Sequence, residues 1–106
     1  MVEPFLSEGD FARLTGAILC LKSEAEVRAF LTDICTVKEI QDISLRLSVA
    51  YALHQGMNYT DIAKKTGASS ATISRVSRCL RYGDNGYRLV LERCGDEPAA
   101  NAQEAQ

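Results

Sequence analysis

The sequence lacks any long apolar run: no segment approaches the ~20 consecutive apolar residues that a membrane-spanning helix needs. Its first residues, Met1-Val2-Glu3-Pro4, carry neither the basic flank nor the apolar stretch of a secretory leader, so the expected location is cytoplasmic. It has four cysteines, Cys20, Cys35, Cys79 and Cys94, but none form a C-x-x-C pair. That spacing gives no support to a zinc site, and in a reducing compartment such thiols are expected to stay reduced. His54 is the only histidine, and no nucleophile motif accompanies it. With no nucleotide-binding loop, no metal-ligand cluster and no nucleophile motif, an enzyme is not expected, and neither a cofactor nor a metal is implied. Strand signals are also scarce, with no sustained alternation and no hairpin bounded by β-branched runs.

An excess of positive charge is missing too, since the net charge is −2 over 106 residues. The total hides an uneven distribution. Residues 1–56 carry five basic and eight acidic side chains, a net −3, and residues 95–106 carry three acidic and no basic ones. Residues 57–94 hold seven basic against three acidic groups, a net +4: Lys64, Lys65, Arg75, Arg78, Arg81, Arg88 and Arg93 supply the positive side. Attraction to phosphate depends on that local field rather than on the sum.

What is present is helical. Apolar residues are 46% and charged ones 25%, the balance of a globular domain. Ser7 opens a first helix with Asp10 three residues on, and Phe11, Leu14, Ile18 and Leu21 follow at helical spacing. Ser23-x-x-Glu26 and Thr36-x-x-Glu39 are capping boxes, in which the hydroxyl takes an orphan N–H and the glutamate reaches back. The second helix has a stripe of Val27, Phe30, Leu31 and Ile34. The third and longest runs from Thr36 to near Gly56, with Ile40, Ile43, Leu47 and Ala50 along one face and Leu45, Val49 and Leu53 widening the apolar surface. A helix apolar over more than one stripe needs partners on several sides. In so short a chain, a second subunit is expected to supply some of them.

Two shorter helices follow, from about Tyr59 to Thr66 and from about Ser70 to Arg81, ended by Gly83. After an Asp84-Asn85-Gly86 turn, a last helix runs from Tyr87 to Cys94. One helical domain is therefore expected over residues 1–94, with residues 95–106 as a disordered acidic tail.

The stretch from Tyr59 to Arg78 reads as a helix-turn-helix. Ala63 is small where two helices cross, Gly67 tolerates positive φ at the turn, and Ile73, Val76 and Leu80 face inward with Ile62 and Ala68. Ser69 caps the second helix. Its outer face is Ser70, Ala71, Ser74, Arg75 and Arg78, short and polar at the start and basic beyond, as suits a helix entering the major groove by its N-terminus. The expected DNA contacts are Lys64, Lys65, Ser69, Ser70, Ala71, Ser74, Arg75 and Arg78, and the expected partner is double-stranded DNA. A competing reading is a protein-interaction module whose basic face docks an acidic partner in the transcription machinery. Binding to duplex DNA that weakens with salt separates the two.

The segment Cys35-Thr-Val-Lys-Glu-Ile-Gln, then Arg46-Leu47, then Thr66-Gly-Ala-Ser-Ser-Ala-Thr-Ile-Ser-Arg-Val-Ser-Arg-Cys-Leu80 resembles the Trp repressor family, most nearly its YerC/YecD-like branch. The likeness runs from about Ser7 to Cys94 and is most specific from Thr36 to Tyr82. It implies an all-α, six-helix fold, an intertwined homodimer, and two helix-turn-helix units facing successive major grooves. It also implies a transcriptional repressor. That family holds tryptophan between its central and recognition helices with two arginines and a threonine, and the matching positions here are Arg46, Arg75 and Thr36, a remnant of a ligand site. The pattern departs at Val76, where the tryptophan binders have glycine, and at Cys79, where they have serine. Valine fills the room an indole would take, so tryptophan is not the expected corepressor, and an unidentified small-molecule effector is left open.

Overall fold

The computed structural model describes residues 6–94, and the acidic-tail expectation for residues 95–106 lies outside them. Six α-helices follow one another: α1 (Glu8–Leu19), α2 (Glu24–Ile34), α3 (Val37–His54), α4 (Tyr59–Thr66), α5 (Ser70–Tyr82) and α6 (Gly86–Cys94). There is no strand among the described residues. Their number, order and type are those expected, with α5 ending and α6 starting within one residue of the sequence reading.

The starts are set by local hydrogen bonds. Ser7 Oγ accepts the Asp10 N–H at 3.2 Å, and Ser23 Oγ accepts the Glu26 N–H at 3.1 Å. At Thr36 the capping box is complete: Thr36 Oγ1 accepts the Glu39 N–H at 3.0 Å, and Glu39 Oε1 accepts the Thr36 N–H at 2.8 Å. At Ser23 the return bond differs, because Glu26 Oε1 takes the N–H of Lys22, one residue before the cap, at 2.7 Å. The end of α3 is a Schellman closure, with the Met57 N–H on the Ala52 carbonyl and the Gly56 N–H on that of Leu53. Gly83 ends α5 for a steric reason. A Cβ there would lie 2.5 Å from the Cys79 carbonyl oxygen, although its φ of −83° suits any residue.

The structure divides into two compact units, one with residues 6–40 described and the other with residues 41–94. In the first, α1 and α2 carry no buried residue. Of their apolar stripes, Phe11, Leu14 and Ile18 on α1 and Val27, Leu31 and Ile34 on α2 are exposed, and Phe30 is half-buried.

The second unit holds the core. Val49, Ala50 and Ala52 of α3 are buried with Ile62, Ala68, Ile73 and Val76, and Leu45, Leu53, Met57, Ala63, Leu80 and Tyr87 pack around them. This refines the reading of α3. Of the stripe Ile40, Ile43, Leu47 and Ala50, only Ala50 is fully buried, and Ile43 is exposed. The face turned to the core is Leu45, Val49, Ala52 and Leu53, spaced i, i+4, i+7 and i+8, with Ala50 buried beside it.

Candidate nucleic-acid interface

The centre of the second unit is the pair α4–α5. Asn58, which the sequence reading passed over, caps α4 by accepting the Asp61 N–H on Oδ1 at 2.8 Å. At the other end of α4, Gly67 has φ +78°, the left-handed region where a side chain costs about 1–2 kcal/mol. A Cβ there meets nothing within 4 Å, so the strain is purely of the backbone. Gly67→Ala is expected to destabilise the protein by about 1–2 kcal/mol in urea unfolding, and Gly67→Asn by less, because asparagine tolerates this region. Equal stability of all three proteins would show that the turn does not need its left-handed residue.

Thr66 stitches the same turn. Its Oγ1 donates to the Ile62 carbonyl at 2.7 Å and accepts the Ala68 N–H at 3.1 Å. Ser69 then caps α5, accepting the Thr72 N–H at 3.1 Å, with its Oγ also 3.1 Å from Thr72 Oγ1. Beneath the turn lie Ile62, Ala68, Ile73 and Val76, all buried, with Ala63 and Leu80 packed against them. These are the inward residues read from the sequence. Val76 is 1% exposed, so the position that is glycine in tryptophan binders is here part of the core.

With Ile73 and Val76 inward, α5 has a fixed rotation. At 100° per residue, the ridge opposite the core is Ala71, Arg75, Arg78 and Tyr82, flanked by Ser70 and Ser74. All six are exposed. Tyr82, 80% exposed, is absent from the sequence-derived list, and its spacing of i+4 from Arg78 is the signal that identifies it. Lys64 and Lys65 are exposed in the last turn of α4. The expected contacts thus lie on one helix pair, with no acidic side chain anywhere on α5. Arg88 adds a tie from α6: its Nε donates to the Leu80 carbonyl at 2.8 Å, near the end of α5.

Three residues match the family's ligand positions. Thr36 lies in the first unit with its hydroxyl engaged in the α3 cap, whereas the half-buried Arg46 and the exposed Arg75 lie in the second. A cavity of about 280 Å³ opens in the second unit, lined by Leu53, His54, Leu80, Arg88, Leu91 and Glu92, and by none of those three. Partial burial, with the neighbouring Cys94 adding to it, raises the pKa of the Tyr51 phenol, which stays neutral at physiological pH. Among the described residues no cluster of His, Cys, Asp and Glu is placed to hold a metal ion, and no helix is long and apolar enough to cross a membrane.

A family model described as the Trp repressor protein matches residues 10–95. The chain is 48% identical over 81 residues to the uncharacterized protein YerC of Bacillus subtilis (strain 168), covering 76% of this chain and 78% of that one. Two crystal structures are similar. One is of a TrpR-like protein from Eubacterium eligens ATCC 27750, with a TM-score of 0.81 and 47% identity, covering 88% of this chain and 96% of that one. The other is of a candidate Trp repressor from Staphylococcus aureus, with a TM-score of 0.77 and 44% identity, covering 82% and 87%.

Proposed function

The chain belongs to the Trp repressor family, and from that membership we propose that it is a cytoplasmic, sequence-specific DNA-binding regulator, a repressor acting as a homodimer through its helix-turn-helix without tryptophan. The observation that carries this reading is the α4–α5 pair. Its inner faces share one core, while its outer face presents Lys64, Lys65, Arg75 and Arg78 with no opposing acid on α5. The short side chains of Ser70, Ala71 and Ser74 at the start of α5 let that end approach base edges closely, and the basic residues meet phosphates or guanine. Ser69 sits at the helix entrance, where its cap leaves backbone N–H groups facing the phosphate chain.

A homodimer accounts for the apolar stripes of α1 and α2 and for the open Ile43, surface that a stable protein of this size does not leave to water. Two copies also present two recognition helices to successive turns of a pseudo-palindromic operator.

The test is binding of the purified protein to duplex DNA over a salt series. Affinity is expected to fall steeply with salt, and Arg78→Ala to weaken binding to all duplexes while lowering the log–log slope by about one. Ser70→Ala and Ser74→Ala are expected to change sequence preference instead. Binding only to an acidic protein, and to no duplex, would favour the interaction-module reading.

Tryptophan is expected to change operator affinity by less than ~1 kcal/mol, because the isopropyl group of Val76 already fills the core, and such an added group in a close-packed ligand site is strained by about 1–3 kcal/mol, so tryptophan loses much of its affinity. An operator complex that forms only with tryptophan would overturn this.

A further inference from the structure

We propose that Arg75 is the guanine reader of the recognition helix, so that a guanine is the most constrained base of each operator half-site. The inference rests on the DNA-binding reading of α5 and assigns one side chain to one base.

The chemistry of the helix narrows the choice. Bidentate base recognition needs an amide for adenine or a guanidinium or ammonium for guanine, and a carboxylate suits cytosine. From Ser70 to Tyr82, α5 contains no Asn, Gln, Asp, Glu or Lys. Ser70 and Ser74 offer single hydroxyls, which fit more than one base, and Ala71 offers a methyl. Ser69 and Thr72 are engaged with each other in the cap. Arginine is the one side chain left on this helix with a bidentate fork.

Position separates the arginines. Ile73 and Val76, each 1% exposed, fix the rotation of α5 and put Arg75 and Arg78 on the outermost ridge. At 1.5 Å per residue, Arg75 lies ~7.5 Å along the axis from Ser70, Arg78 ~12 Å and Arg81 ~16.5 Å. A helix that enters the groove by its N-terminus keeps its first two turns over base edges, in a groove ~8.5 Å deep, and leaves toward the backbone beyond them. Ala71, one turn before Arg75 on the same ridge, is too small to hold the helix off or to shield the guanidinium. Arg75 therefore reaches N7 and O6 of a guanine, while Arg78 and Arg81 meet phosphates.

The experiment uses the full chain. An operator is selected from a random duplex pool, and its most constrained guanine is replaced by 7-deazaguanine, which keeps pairing but lacks the N7 acceptor. Binding by anisotropy is then compared for the wild type, Arg75→Ala and Arg78→Ala. The modified base is expected to weaken the wild type and Arg78→Ala about tenfold and to leave Arg75→Ala unchanged. Selection with Arg75→Ala is expected to lose that guanine alone. The proposal is overturned if the selected site has no constrained guanine, or if the deaza penalty persists in Arg75→Ala. It is also overturned if the coupling maps to Arg78; in each of these cases DNA binding itself stands. Absence of duplex binding at any salt would overturn the underlying reading as well.

Discussion

Ile73→Ala is expected to destabilise the protein by about 2–5 kcal/mol. Ile73 is 1% exposed and sits where α5 meets α4, among Ile62, Ala68, Val76 and the buried residues of α3. Truncation removes apolar contacts and leaves a cavity that flanking helices close only in part. Against a total stability of about 5–15 kcal/mol, that loss is large enough to unseat the recognition helix. Urea unfolding followed by far-UV circular dichroism is the measurement. The midpoint is expected to drop with the slope unchanged, and duplex binding to fall with the folded fraction. Ala71→Ser, on the opposite face of the same helix, is expected to stay within about 0.5 kcal/mol of the wild type. If the two substitutions had equal effects, the assigned rotation of α5 would be wrong, and the groove face with it.

Ile18→Glu combined with Ile34→Glu is expected to sediment as a monomer at micromolar concentration, where the wild type is expected to sediment as a dimer. Ile18 is 47% and Ile34 54% exposed, at the ends of the apolar stripes of α1 and α2, so a carboxylate at either place meets water in a single chain. Only a partner covering those stripes makes the change expensive, because each charge would then lose its hydration without a counter-ion. Operator affinity is expected to weaken by about 10²–10⁴-fold, since the second helix-turn-helix no longer binds at the effective concentration set by the first. A double variant that still sediments as a dimer would place the interface elsewhere. A wild-type protein that binds its full operator as a monomer would end the dimeric reading.

The sequence by itself determined where the helices start and stop. Ser7, Ser23, Thr36 and Ser69 cap α1, α2, α3 and α5 as their spacing indicates, and Gly56 and Gly67 close α3 and α4. Capping joins atoms within about four residues, so the information is complete in a short window of sequence. The helix-turn-helix was legible for the same reason, since Ala63, Gly67, Ala68, Ile73 and Val76 lie within fourteen consecutive positions. The positive block over residues 57–94 could be counted directly. Only the tertiary structure decided which way α3 faces. Two apolar stripes share that helix, and sequence periodicity cannot say that Val49 and Ala52 meet α4 and α5 while Ile43 stays open, because burial depends on what packs across. The roles of Thr66 and Glu26 were likewise a matter of geometry. A threonine near a helix end has several backbone partners within reach, and the backbone path selected the Ile62 carbonyl and the Ala68 N–H for Thr66, as it selected the Lys22 N–H for Glu26. For Tyr82 the i+4 spacing from Arg78 was present in the sequence, and the tertiary structure added that α5 continues through Tyr82 and leaves it exposed, in line with Arg75 and Arg78.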